Sequence, residues 1–101
     1  MDKNPYRVRI FNSQLPKKKK TATFYNKQGK IIKTIHFGAA GMSDFTKHKD
    51  EERKQRYLTR HQKNEDWNKP MTAGALSRWI LWGKPSLRES IKDFKKRFNL
   101  K

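Results

Sequence analysis

Four basic side chains in the middle of the chain have a spacing that suits phosphate binding. Arg53, Arg56, Arg60 and Lys63 stand at i, i+3, i+7 and i+10, which places them along one stripe of a helix. Guanidinium and ammonium groups neutralise phosphate oxygens whatever the neighbouring bases, so such a stripe can follow a nucleic-acid backbone. The same stripe also suits a solvated helix whose charges face water, and the sequence leaves both interpretations open.

Two further groups of cations are candidate contacts for the same kind of partner. Pro16 is followed by a run of four lysines, and residues 87–98 put three more on the polar side of an amphipathic segment. The lysine run resembles a nuclear import signal, but such runs also occur in exposed basic loops. The full set of predicted anion-binding residues is Lys17, Lys18, Lys19, Lys20, Arg53, Arg56, Arg60, Lys63, Lys92, Lys95 and Lys96.

Patterns for catalysis or metal binding are weak by comparison. The chain has no cysteine, which excludes disulfides, thiolate nucleophiles and cysteine-based zinc sites. His48, Asp50, Asp44 and His61 could surround the metal ion of a small nuclease, but the chain has neither HxxxH nor HExxH spacing. It also lacks the nucleophile motif GxSxG and a glycine-rich dinucleotide motif. We therefore expect a protein that is not an enzyme and needs no cofactor or metal.

The charge balance of the whole chain indicates a polyanionic partner. Of 101 residues, 26 are Lys or Arg and 9 are Asp or Glu, which gives a formal net charge of +17. This excess repels itself in an isolated globule, so nucleic acid, an anionic membrane surface or an acidic protein would lower its energy. We expect no membrane span, since no long apolar run exists, and no secretory signal at the N-terminus.

Hydrophobic spacing and turn residues predict the elements that position these side chains. Residues 21–37 predict a β-hairpin, because two segments rich in β-forming residues flank the turn Asn26–Gly29. A strand around Val8 is expected to join this sheet. Helices are predicted over about 44–63, 73–82 and 87–98. The last of these has the capping box Ser86–Glu89 in front of apolar residues at 87, 91, 94 and 98.

Together these elements predict a single small α+β domain, in which a β-hairpin or three-stranded antiparallel sheet is followed by three helices. Residues 1–20 are assigned to a basic N-terminal arm and residues 21–101 to the domain. Trp67, Trp79 and Trp82 fit either core positions or base stacking, for which Phe24, Tyr25 and His36 on the hairpin are better candidates. The predicted core is Phe24, Ile31, Ile35, Phe37, Phe45, Tyr57, Leu58, Leu76, Trp79, Ile80, Ile91, Phe94 and Phe98.

Short motifs between residues 34 and 100 carry a family resemblance. They are Thr34-Ile35-His36-Phe37-Gly38, Phe45-Thr46-Lys47-His48-Lys49-Asp50, Arg53-Lys54-Gln55-Arg56-Tyr57, Arg60-His61, Asn64-Glu65-Asp66-Trp67, Thr72-Ala73-Gly74, Ser77-Arg78-Trp79, Leu81-Trp82, Lys84-Pro85-Ser86-Leu87 and Ser90-Ile91-Lys92-Asp93. Together they resemble a family of short, basic, uncharacterised proteins of large nucleocytoplasmic DNA viruses, the giant viruses. The resemblance leaves residues 1–20 outside it. It implies a viral, virion-associated protein and assigns no catalytic or binding residue.

These observations lead to one favoured function and two alternatives. We favour a virion protein that binds nucleic acid, DNA rather than RNA, through phosphate contacts without sequence specificity, and so packages or condenses the genome. During infection it would lie in the host cytoplasm or nucleus. The alternative is a minor capsid or core protein that cements acidic surfaces of neighbouring virion proteins. A small metal-dependent nuclease is the third.

Overall fold

The computed structural model describes residues 2–101, in which a three-stranded antiparallel sheet is followed by helices. Strands β1 (Arg7–Asn12), β2 (Lys18–Tyr25) and β3 (Ile31–Ala39) lie in the order β1-β2-β3. The helices are α1 (Phe45–His48), α2 (Glu51–His61), α3 (Ala73–Leu76) and α4 (Leu87–Arg97), and α3 continues as a π-helical turn over Ser77–Leu81. This is the α+β class that the sequence predicted.

The hairpin of β2 and β3 closes through a turn organised by one buried asparagine. The side-chain Oδ1 of Asn26 accepts hydrogen bonds from the backbone N–H groups of Gln28 at 3.0 Å and Lys30 at 2.9 Å. Gly29 follows with a φ of 79°, in the left-handed region that glycine adopts without strain. These local bonds set the register in which Thr23 lies opposite Thr34.

The first 20 residues contribute to the sheet, so the predicted arm does not stand apart from the domain. Val8 pairs with Phe24 and is 2% exposed, and the chain from Lys18 onward already belongs to β2. The predicted boundary at residue 20 therefore cuts through a strand, because Val8 and Ile10 find their apolar partners only when β1 joins the sheet. Residue 1, where the predicted arm begins, lies outside the described residues.

The predicted helix over residues 44–63 is divided in two. Asp44 caps α1, and Lys49 then adopts the left-handed conformation with a φ of 56°. Asp50 starts α2 by accepting hydrogen bonds from the backbone N–H groups of Glu52 and Arg53. Two aspartate caps thus begin two helices, since each satisfies N–H groups that lack a partner within the helix.

One face of the sheet packs against α3, its π-helical turn and α4. The hydrophobic core consists of Val8, Ala22, Phe24, Phe37, Leu76, Ile80, Leu81, Phe94 and Leu100. The predicted core residue Ile31 is instead 59% exposed. A register shift between Phe24 and Tyr25 places Ile31 opposite Tyr25, on the side away from the core, while Ile32 packs inward.

The C-terminal residues lie along the outer edge of β1. The backbone N–H of Lys101 donates to the carbonyl of Tyr6, and the N–H of Val8 donates to the carbonyl of Lys101. This pairing covers part of an edge strand that would otherwise expose its backbone groups.

Within residues 2–101, no helix combines the length and the apolar character that a membrane span requires.

Candidate nucleic-acid interface

A pocket beside α2 collects three residues of the predicted basic stripe. This arginine pocket has a volume of about 260 Å³ and is lined by Met42, Ser43, Arg53, Arg56, Arg60 and Trp82. The cap at Asp50 begins α2, and the helical spacing then brings the three guanidinium groups to one side. A concave site with three guanidinium groups and a serine suits a phosphate group, which accepts several hydrogen bonds at once.

Carboxylates neutralise this pocket very little. Arg53, Arg56 and Arg60 are all exposed, and Arg56 lies 4.0 Å from Glu52, whose side chain is 89% exposed. Such a solvent-exposed pair contributes little energy. Within residues 2–101, neither Arg53 nor Arg60 has a carboxylate oxygen within 4.0 Å. The pocket therefore keeps a concentrated positive charge for an incoming anion.

A larger cavity of about 410 Å³ adjoins the arginine pocket. Met42, Ser43, Arg60 and Trp82 line both, so the two form one groove between α2 and the end of the sheet. The wall contributed by the sheet includes Lys18 and Lys19 of β2. The groove thus joins the arginine stripe of α2 to the lysine run, and Asp44 and Glu65 also line its larger part.

The segment after β3 forms the other side of the groove, to which it contributes Met42 and Ser43. The sequence did not point to either residue as part of a site. Gly38 and Gly41 have φ values of 80° and 84°. A Cβ atom at Gly38 would lie 2.7 Å from Cδ1 of Leu81, so a larger residue would have to move that side chain and adopt a strained positive φ. The two glycines, visible in the sequence, were the signal that the chain turns sharply here.

A stack of aromatic rings holds α2 in place, and its members Tyr57, His61 and Trp82 also line the groove. Tyr57 stacks on Trp82 with ring centroids 4.3 Å apart and on His61 at 4.2 Å, while His48 lies 5.3 Å from Trp82. Trp82 directly follows the π-helical turn, and its backbone N–H donates to the carbonyl of Ser77 five residues earlier. Burial raises the pKa of Tyr57 well above its ordinary value, and the nearby charge of Glu65 adds to the effect.

The tryptophans, left open by the sequence, make their contacts within the protein. The Trp79 indole N–H donates to the carbonyl of Trp67 at 2.8 Å, and that of Trp67 donates to Oε1 of Glu65 at 2.8 Å. Arg78 and Arg97 lie 4.1 and 3.7 Å from the Trp79 ring centroid. Burial, with the nearby charge of Arg97, lowers the pKa of Arg78. All three indoles are partly buried: Trp67 and Trp79 pack within residues 65–97, whereas Trp82 packs against His48 and Tyr57.

The lysine run contains two side chains that already have partners. Lys19 Nζ lies 2.5 Å from Oδ2 of Asp44, and the two side chains are only 12% and 2% exposed. Lys20 Nζ donates to Oδ1 of Asn12 at 2.6 Å. Lys17 and Lys18 are exposed. Two of the four lysines therefore have partners within the protein, only Lys19 in a buried contact, and the other two face solvent.

The other predicted lysines lie outside the groove. Lys63 comes after the end of α2 and does not continue the stripe as a helical residue. Lys92, Lys95 and Lys96 lie on α4, with Lys92 and Lys96 exposed and Lys95 partly buried, and none of them lines the groove. The structure thus brings together Lys18, Lys19, Arg53, Arg56 and Arg60 and leaves the remaining predicted residues elsewhere on the surface.

The residues considered for a metal site are used in local hydrogen bonds. The backbone N–H of Asp50 donates to Nδ1 of His48 at 2.9 Å, and Nδ1 of His61 lies 3.1 Å from Oε2 of Glu65. Asp44 is occupied by its helix cap and by Lys19. In the part of the chain that the structure describes, no three histidine, aspartate or glutamate side chains come together as ligands.

A family model matches residues 8–61, more than half of the chain, and its description is "Family of unknown function (DUF5754)". The matched segment contains β1 from Val8 onward, β2, β3, α1 and α2, and therefore the three arginines of the pocket. No curated protein and no solved structure matches the chain.

Proposed function

The chain belongs to the family of unknown function DUF5754, and we propose that it is a non-enzymatic protein that binds nucleic acid through phosphate contacts without sequence specificity. The observation that carries the proposal is the arginine pocket, where three guanidinium groups line one concave site with almost no carboxylate beside them. The planar guanidinium group matches the several-oxygen geometry of phosphate, and of carboxylate as well.

The rest of the surface supports an extended polyanion as the ligand. Among residues 2–101, only Lys19, Arg56 and Arg97 of the lysines and arginines pair with a carboxylate. When unpaired cations of a protein neutralise phosphates, the counterions condensed on the nucleic acid are released into solution. Their release raises the entropy and so favours binding. Contacts of this kind carry no base specificity, because the phosphates are the same in every sequence.

The biological setting that we propose is the virion of a large DNA virus, where the protein would package and condense the genome. This part rests on the sequence motifs that resemble proteins of giant viruses, and it makes DNA the expected partner. A protein that neutralises phosphates across its surface would reduce the repulsion between neighbouring DNA segments.

The proposal predicts a steep dependence of DNA binding on salt. We expect purified protein to bind unrelated duplexes with equal affinity, with a log–log slope of about −0.9 for each phosphate contact. Fluorescence anisotropy of labelled duplexes between about 50 and 200 mM NaCl measures this slope. An affinity that stays flat over this range contradicts the proposal.

Removing two arginines from the pocket should weaken binding and flatten the salt dependence. For the double variant Arg53→Gln with Arg60→Gln, we expect the slope to become shallower by about 1.8, since about 0.9 is lost with each contact. The control is Lys27→Gln with Lys30→Gln, which removes the same charge from the exposed turn at the far end of β2. Equal losses in both variants would show that the pocket has no special part in binding.

The alternative proposal is a minor capsid or core protein that cements acidic surfaces of its neighbours. The same unpaired cations would then face carboxylates. Cross-linking of intact virions separates the two, because DNA adducts support the first proposal and adducts to other virion proteins support the second.

The nuclease alternative is tested by incubating the protein with plasmid DNA, with and without a chelator. Nicking of the plasmid that requires a metal ion is the result that this alternative needs.

A further inference from the structure

The side of the sheet that turns away from the helices forms a separate surface, which we name the outer sheet face. Val8, Ala22, Phe24 and Phe37 point into the core, so the residues that alternate with them point the other way. The strand register arranges the outer side chains in three rows, namely Arg7-Tyr25-Ile31, Arg9-Thr23-Thr34 and Phe11-Thr21-His36.

This face combines aromatic rings with arginines. Cζ of Arg7 lies 4.7 Å from the centroid of the Tyr25 ring, and Cζ of Arg9 lies 5.1 Å from that of Phe11. Both arginines are exposed, whereas both rings are partly buried. The strands β1, β2 and β3 contain no aspartate or glutamate. The electrostatic character of the face is therefore entirely positive along the strands.

Beside these rings, the outer sheet face has two buried threonines and a histidine held by hydrogen bonds. Thr21 and Thr23 in the central strand are 2% and 6% exposed; Phe11 and His36 lie on either side of Thr21, and Arg9 and Thr34 on either side of Thr23. Nδ1 of His36 lies 2.8 Å from Oγ1 of Thr21 and 3.1 Å from Oγ of Ser13, which fixes the orientation of the imidazole. The outer row therefore presents Phe11 and His36 on either side of a buried threonine.

We propose that the outer sheet face binds single-stranded nucleic acid by stacking bases on Phe11 and Tyr25, with Arg7 and Arg9 contacting phosphates or extending the stacks. This inference deepens the proposed function and rests on it. Unpaired bases stack on aromatic rings and guanidinium planes, and positively charged sheet surfaces use both. The rows of Arg7 and Phe11 are four residues apart on β1, about 14 Å, which leaves room for more than one nucleotide.

A single strand fits this face better than a duplex does. In a duplex the bases stack on one another and offer only their edges in the grooves, so the rings of Phe11 and Tyr25 would find no base to stack on. The arginine pocket, by contrast, contacts phosphates that both forms carry. The two surfaces should therefore respond differently when the strand is paired.

Replacing both rings by leucine tests this difference. For Phe11→Leu with Tyr25→Leu, we expect affinity for a labelled oligothymidylate of about 12 nucleotides to fall at least tenfold, and affinity for a duplex to change less than twofold. The control is Tyr6→Leu, which removes a ring that is 40% exposed. Tyr6 directly precedes Arg7, so the alternation of side chains places it on the side opposite to the outer sheet face. Circular dichroism and thermal melting verify that the variants fold.

Parallel losses of single-strand and duplex affinity, or no loss of either, overturn the inference. The proposed function fails separately, through flat salt dependence or an inert arginine pocket. If the double variant does not fold, the inference is tested by photo-cross-linking of the unmodified protein to an oligonucleotide that contains 5-iodouracil. Adducts on Phe11 or Tyr25, found by mass spectrometry, support the stacking surface, whereas adducts confined to the groove or to α4 overturn it.

Discussion

Asp44 makes two kinds of contact at the start of α1. Its Oδ1 accepts a hydrogen bond from the backbone N–H of Thr46 at 3.0 Å, and its Oδ2 pairs with Lys19 of the neighbouring strand. A charge pair this deeply buried stabilises the fold only while both partners are present, because either charge alone would be poorly solvated. One residue thus links the sheet to the segment that forms the wall of the groove.

Asp44→Asn should therefore lower the free energy of unfolding by about 3 kcal/mol, since Lys19 keeps a buried charge without its partner. Asn replaces Asp well as a helix cap, so the cap itself is retained. Asp50→Asn is the matched control at the exposed cap of α2, where we expect a change of a few tenths of a kcal/mol. Urea denaturation measures both. A similar small effect at the two caps would contradict the assignment of Lys19 to the fold.

At the scale of elements, α2 depends on a few aromatic contacts. Most of its residues are exposed, and Tyr57, its one buried residue, stacks between Trp82 and His61. Lys54 adds a hydrogen bond from its Nζ to the carbonyl of Gly83 at 2.8 Å. Burial lowers the pKa of Lys54, and the charge of Glu51 partly opposes that effect. The position of α2, and with it the shape of the arginine pocket, therefore depends mainly on the contact between Tyr57 and Trp82.

The raised pKa of Tyr57 predicts a loss of stability at high pH. Above the ordinary tyrosine pKa of 10.0, the unfolded chain loses the phenolic proton while the folded chain keeps it. The unfolded state then binds fewer protons, so the free energy of unfolding falls as pH rises from 10 toward the folded-state pKa. Tyr57→Phe should reduce this fall, measured by urea denaturation between pH of about 9 and 11.

The matched control for that measurement is Tyr6→Phe, which removes a hydroxyl group from a 40% exposed ring. We expect it to keep the pH profile of the natural chain. If Tyr57→Phe also keeps that profile, the Tyr57 hydroxyl does not become harder to ionise on folding, and the tight ring stack is placed in doubt.

The whole molecule carries a net charge of +17 on a structure with few ion pairs, since four pairs occur within residues 2–101 and one of them involves a histidine. Its Cα radius of gyration is 13.3 Å, so most cations lie within a few tens of ångströms of one another. Repulsion at these distances is strong at low salt and screened at physiological salt. A surface of this kind is stabilised by anions in its surroundings.

We therefore expect added salt to raise the melting temperature of the free protein. The Debye length falls from about 30 Å at 0.01 M to about 8 Å at 0.15 M, which removes most of the repulsion. Calorimetry at these two NaCl concentrations measures the effect, and a short duplex at low salt should give a similar or larger rise by binding the folded state. A melting temperature that decreases with NaCl would mean that attractive ion pairs outweigh the repulsion.

Much of the fold could be predicted because its signals are local. The turn Asn26–Gly29, the capping box at Ser86 and the apolar spacing of α4 each lie within a few residues, and each element formed near its predicted place. The division of residues 44–63 was harder, because Asp50 reads equally well as a residue in the first turn of one helix or as the cap of a second.

The arginines of the candidate site were predictable from the sequence, but its other residues and its shape were not. Helical spacing alone placed Arg53, Arg56 and Arg60 together. The same reasoning could not distinguish Lys18, which lines the groove, from Lys20, which donates to Asn12, because the difference depends on contacts across the sheet. Met42 and Ser43 joined the site only through the path of the chain after Gly38.

The sequence by itself determined the α+β class, the excess of positive charge and the stripe on α2, because these depend on composition and short-range spacing. Tertiary structure decided which cations are available to a ligand, since pairing of Lys19 with Asp44 joins residues 25 positions apart. It also decided which side of the sheet is open. The alternation along β1 defines two faces, but only the packing of Leu76, Ile80 and Phe94 shows which one the helices cover.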